Sequence, residues 1–255
     1  MSRILTIAHS TLAEAIRHRV LYLLLVFAAA LMLFSRVLSM MTVGDDAKII
    51  KDLGLSAISV LGLLVALFVG VGILFREMER RTVQVTLSAP VARWEYIFGK
   101  YLGLAATISI NTAALGWLLV GMTLWRGAYT HSLLAAIFML WVELMFITAA
   151  AVFFSSFSTP IFSALFTSAI YVVGHLCWAL TLLEQKLPAG TWARKLVHGL
   201  YLVLPDLEFG DIRAFVVHGV PVGFDRIAWA TIYELAWAGM LLLVAALAFR
   251  RRDLV

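Results

Sequence analysis

The chain has 255 residues, 63% of them hydrophobic and only 14% charged, with a mean hydropathy of +0.97. A soluble domain carries roughly 25% charged residues, and a disordered chain is poor in the apolar side chains that abound here, so both classes are excluded and a polytopic membrane protein remains. The net charge of +5 would suggest nucleic acid in a soluble protein, but in a membrane protein basic residues hold the cytoplasmic side, so no nucleic-acid partner is expected.

At the N-terminus, Ile4, Leu5, Ile7, Ala8, Leu12, Ala15 and Ile16 recur at helical spacing among Arg3, His9, Glu14, Arg17, His18 and Arg19. That pattern predicts an amphipathic helix over residues 1–19, lying in the membrane interface. Thr11 to Glu14 reads either as a capping box or as part of one continuous helix. A bilayer core about 30 Å thick needs about 20 apolar residues in a helix. Six runs of that size follow, at 20–38, 55–75, 101–125, 133–154, 161–180 and 227–249. They are continuously apolar rather than alternating, which predicts helices and not a barrel. The first is read as a span and not as a cleaved signal peptide, because the amphipathic segment precedes it and Arg36 lies near its far end. The predicted fold class is thus an all-α polytopic membrane protein of one domain, with six transmembrane helices and an N-terminal interfacial helix.

Placing the N-terminus inside gives the inside segments 11 basic and 5 acidic residues, against 9 basic and 8 acidic outside. The excess predicts that both termini are cytoplasmic. Trp94, Tyr96 and Tyr101 then fall at the inner boundary, and Trp125, Tyr129, Trp178 and Trp229 at the outer one, where aromatic belts form.

Two connections exceed what a hairpin needs. Residues 76–100 are cytoplasmic, dense in both charge signs and broken at Pro90. Residues 181–226 are extracytoplasmic: Trp192, Leu196, Val197, Leu200 and Val203 form an apolar stripe ending at Pro205, and an irregular lid follows. This stretch is either a passive cap or a substrate gate, and it also offers a surface for an extracytoplasmic partner. Within the spans, Asn111 and Glu143 lie at one depth, and His175 and Glu234 at another. Such groups fix helix packing or line a pathway. Ser163, Ala164, Thr167 and Ser168 put small residues at helix-contact spacing on the fifth span. Cys177 stands alone, so no internal disulfide forms. The sequence contains no phosphate-cradling glycine loop, no metal-ligand spacing of histidines and no hydrolase motif. Any energy source must therefore come from elsewhere.

Glu79-Arg80-Arg81-Thr82 through Leu87, then Pro90-Val91-Ala92-Arg93-x-Glu95 and Gly99-Lys100, resembles the loop between spans two and three of ABC-2 type transporter permeases. The tail Phe249 to Leu254, following a sixth span that contains Tyr233, and the segment from Leu204-Pro205 to Gly219 resemble that family too. Arg81 departs from it, since many members have glycine before the threonine. The resemblance implies a bacterial cytoplasmic-membrane exporter with no cofactor bound by this chain. It implies two copies of a separate ATPase subunit that carries ATP and Mg²⁺, and a second permease copy, identical or related. It also implies that Glu77, Glu79, Arg80, Arg81, Thr82, Val83, Val85 and Leu87 couple to the ATPase. It suggests a dimer contact through Ser163, Ala164, Thr167 and Ser168. Two other classes stay open: an ion-coupled secondary transporter working through Glu143 and Glu234, and a membrane scaffold for an extracytoplasmic complex.

Overall fold

The computed structural model describes residues 3–39, 46–72, 75, 92–188 and 191–250. Among these every regular element is helical. The order is α1 (Arg3–Ile16), α2 (Arg19–Ser39), α3 (Asp46–Val65) running into a π-helical segment (Ala66–Val71), α4 (Arg93–Trp125) and α5 (His131–Ser155), then α6 (Pro160–His175), α7 (Cys177–Lys186), α8 (Trp192–Val203), α9 (Arg213–Val217) and α10 (Phe224–Arg250). Among the described residues four helices are long and apolar enough to cross a bilayer: Asp46–Val71, Trp94–Trp125, His131–Ser155 and Phe224–Ala248. Two bent pairs, Arg3–Ile16 with Arg19–Ser35 at 61° and Pro160–His175 with Cys177–Lys186 at 51°, raise the number to six if each pair is one span. The fold is an all-α polytopic membrane protein.

Two helices start earlier than their apolar runs. α3 begins at Asp46 rather than at Leu55, because Lys48, Lys51 and Asp52 form its first turns at the end of the bundle, where Lys51 Nζ donates to Thr130 Oγ1 at 3.3 Å. α4 begins at Arg93 rather than at Tyr101. There the Glu95 carboxylate accepts from the Ala92 N–H at 2.8 Å, satisfying a donor that the helix cannot.

α5 is the hub, buried along most of its length and packed against α3, α4, α6 and α10. Hydroxyls in this apolar interior bond to their own helices. Thr107, Thr123, Thr148 and Thr167 each donate to the carbonyl four residues back, so these four hydroxyl hydrogens are not stranded in hydrocarbon. Around the bundle Leu23, Val26, Phe34, Trp117, Ile161 and Leu243 are exposed. An apolar surface this broad is tolerable only where lipid is the solvent.

At the end bearing the N-terminus, α1 docks on the start of α4. A Cβ at Gly103 would stand 2.6 Å from the Ala8 carbonyl oxygen, and one at Gly99 2.8 Å from Ile7 Cβ, so these two glycines set how closely the helices cross. α1 thus buries Ile7, Thr11 and Ala15 against protein as well as lying across the bundle's end. Of the two readings of residues 11–14, the continuous helix holds: Thr11 Oγ1 donates back to the Ile7 carbonyl at 2.9 Å.

Candidate functional site

The opposite end of the bundle is closed by residues 204–219, which turn inward between the helices. The Leu207 N–H donates to the Gly174 carbonyl at 3.2 Å, the Asp206 N–H to Tyr233 Oη at 2.9 Å, and Leu207, Ile212 and Val216 are buried. Gly174 permits this approach, since a Cβ there would stand 2.7 Å from Leu207 Cγ. The irregular lid expected from the sequence is therefore a packed plug, with α9 set against α3 and α5.

The plug shares a polar cluster with side chains from four helices, α3, α5, α6 and α10. Arg213 holds Asp211 through two contacts of 2.9 Å from Nε, and its Nη2 lies 3.1 Å from His175 Nε2. His175 Nε2 is 3.6 Å from Glu143 Oε1. Tyr171, one turn before His175, shares a hydrogen bond of 2.8 Å with Ser59 of α3. Glu234 abuts Gly210, where a Cβ would collide with its Oε1. Glu143 Oε1, Glu234 Oε2 and Asn111 Nδ2 are buried without a hydrogen-bond partner among the described residues. Above the cluster a cavity of about 580 Å³ opens between Lys48, Asp52 and Ser56 of α3 and Asp211, Arg213 and His218. The cluster thus connects a water-accessible vestibule to the buried centre of the bundle.

The structure regroups the intramembrane residues. Glu143 meets His175 rather than Asn111, and Glu234 meets the plug at Gly210 rather than His175. Shared depth in a sequence does not fix rotation about the helix axis, and rotation decides which residues meet. Asn111 is instead buried on α4, where the neighbouring tie to α5 is Trp141 Nε1 donating to Ser109 Oγ at 2.8 Å. Ser163 and Thr167 are fully buried within the chain, while Ala164 and Ser168 are half-buried. Ser163 and Thr167 of the small-residue stripe thus face the chain's own bundle, and the face that α6 leaves open carries Ile161, Phe162, Leu165 and Phe166. Glu77, Glu79, Arg80, Arg81, Thr82, Val83, Val85 and Leu87 lie outside the described residues, as do residues 251–255.

Sequence reasoning missed Asp211, Arg213, Tyr171, Ser59 and Gly210. The available signal was the Asp-x-Arg pair between Phe209 and Phe215, since paired charges beside apolar residues mark partial burial. Burial alone would raise the Asp211 carboxyl, but the Arg213 guanidinium outweighs it and holds the carboxyl below the usual aspartate range. The stabilisation this carries is complete above the unfolded value of about 3.9 and fades as pH falls through the lower folded value. Thermal melts in detergent should therefore show wild type losing stability more steeply than Asp211→Asn below about pH 4. Parallel curves would mean that the pair contributes nothing.

The model of the family described as "ABC-2 family transporter protein" matches residues 5–254. No curated protein matches the chain.

Proposed function

The chain belongs to the ABC-2 transporter family and is the membrane-spanning permease part of such a transporter, and on that premise we propose that it is an exporter subunit driven by ATP hydrolysed in a separate ATPase. The observation that carries this reading is the family match over residues 5–254 in a sequence with no phosphate-binding loop of its own. A permease of this kind is not itself catalytic; it converts the closing of partner subunits into movement of its helices.

In this reading the end closed by residues 204–219 faces outward in a bacterial cytoplasmic membrane, as the basic excess at the other end supports. The vestibule of about 580 Å³ is the outer mouth of the pathway, and the plug beneath it keeps that mouth shut. Two copies of the chain, or this chain and a related one, enclose the pathway, and two ATPase subunits sit under residues 76–91. In that loop Glu77, Glu79, Arg80 and Arg81 supply both charge signs for register, Thr82 lies between them and the apolar residues, and Val83, Val85 and Leu87 supply an apolar patch that a partner covers. α3 enters the loop through the π-helical segment Ala66–Val71, an irregularity that recurs at functional positions.

Co-expression with a cognate ATPase, purification and reconstitution into proteoliposomes tests the proposal. The expected result is a stable complex whose ATP hydrolysis and transport depend on each other. Transport by the chain alone, driven by a proton gradient without ATP, would replace this reading with a secondary transporter working through Glu143 and Glu234. A complex that carries nothing under either condition would leave a scaffold.

A further inference from the structure

His175 stands between two partners that exclude each other. Its Nδ1 lies 3.0 Å from the Tyr171 carbonyl oxygen, and an oxygen that only accepts requires the hydrogen on Nδ1. Its Nε2 lies 3.1 Å from Arg213 Nη2, and a guanidinium only donates, so Nε2 carries a lone pair and the ring is neutral. Glu143 Oε1 stands 3.6 Å from that same Nε2. A proton added at Nε2 would turn the Arg213 contact into two donors and two positive charges face to face. The same proton would give Nε2 a donor within reach of Glu143 Oε1, which has no hydrogen-bond partner among the described residues, in surroundings of low dielectric.

The groups around the ring come from several parts of the chain: Tyr171 on its own helix, Glu143 on α5, and Asp206, Asp211 and Arg213 on the plug. Glu234 of α10 bounds the plug from the other side at Gly210. Arg213 and Asp211 also line the vestibule, so water, and with it a proton, comes within one residue of the ring. Arg213 ties the plug to α6 beside the Leu207 to Gly174 bond and the contact of the Cys177 thiol with the Pro205 carbonyl at 3.6 Å.

We propose that His175 is a proton-binding site reached from the vestibule, and that its protonation exchanges Arg213 for Glu143 and frees residues 204–219 from α6. Acid on that side of the membrane opens this end of the bundle, independently of ATP binding at the other. The inference rests on the reading of the plugged end as outward-facing.

Cys177 is the only cysteine, has no exposed surface and is covered by Pro205 of the plug, so it reports plug release without engineering. The full chain in right-side-out membrane vesicles is treated with a membrane-impermeant maleimide. Its labelling rate at each pH is divided by that of the detergent-unfolded chain, which removes the thiol's own ionisation. The normalised rate is expected to rise about tenfold from pH 7.5 to 5.5, as a single linked proton allows. It should stay flat in His175→Gln, and the rise should move to lower pH in Glu143→Gln. A flat wild-type response overturns the proposal whether or not either variant folds, and leaves the exporter reading standing. A rise retained in His175→Gln overturns it as well. Labelling confined to inside-out vesicles overturns the outward placement, and this proposal with it.

Discussion

Arg213→Ala is expected to destabilise the protein by about 2–4 kcal/mol, read as a lowered Tm in detergent and as faster proteolysis of residues 204–219. Breaking a fully buried ion pair costs about 3–5 kcal/mol, because the remaining charge has lost its partner and not regained water. The Asp211 and Arg213 side chains keep 16% and 19% of their surface exposed, which lowers the range. Removal also strips the contact to His175 Nε2 and leaves Asp211 facing the buried carboxyls of Glu143 and Glu234. Asp211→Ala combined with Arg213→Ala should recover part of the loss, since no orphaned charge then remains. If the double variant is no more stable than Arg213→Ala, the effect belongs to the packing of the arginine stem and not to its charge.

Arg80→Glu combined with Leu87→Asp is expected to abolish co-purification with the ATPase and to remove ATP-dependent transport, with the melting temperature of the permease unchanged. The first substitution reverses a charge in the register of the loop, where like charges across an interface cost several kcal/mol. The second places a carboxylate among the apolar residues that, with Val83 and Val85, are proposed to seat on the ATPase. About 4 kcal/mol across the two changes would weaken association roughly a thousandfold. Intact association and transport in this variant would remove residues 77–87 from the coupling interface. A lowered melting temperature would instead make the loop part of the permease's own packing.

The solvent in which this chain folds was legible from composition alone. Long runs such as 133–154 have one physical use, because only a helix satisfies its own backbone in hydrocarbon. Helix ends were less legible: Asp46 and Arg93 begin helices whose first turns are polar, and hydropathy registers the apolar core rather than the hydrogen bonds that start a helix. The buried acids Glu143 and Glu234 stood out for the same reason as the spans, as charges where water is absent. Their partners did not. Asp211 and Arg213 are far from Glu143 in sequence, and only the inward turn of residues 204–219 brings them to His175.

The sequence by itself determined the membrane setting, the helical class, the orientation favoured by its basic residues and a likeness to its family, since each depends on residue type and on order along the chain. The tertiary structure decided which faces are inside. It placed Ser163 and Thr167 within the chain's own bundle, docked α1 on α4 through Gly99 and Gly103, and joined Glu143, His175 and Arg213 beside the vestibule. A helix of known depth still has a free rotation about its axis, and that angle is fixed only when its neighbours pack against it.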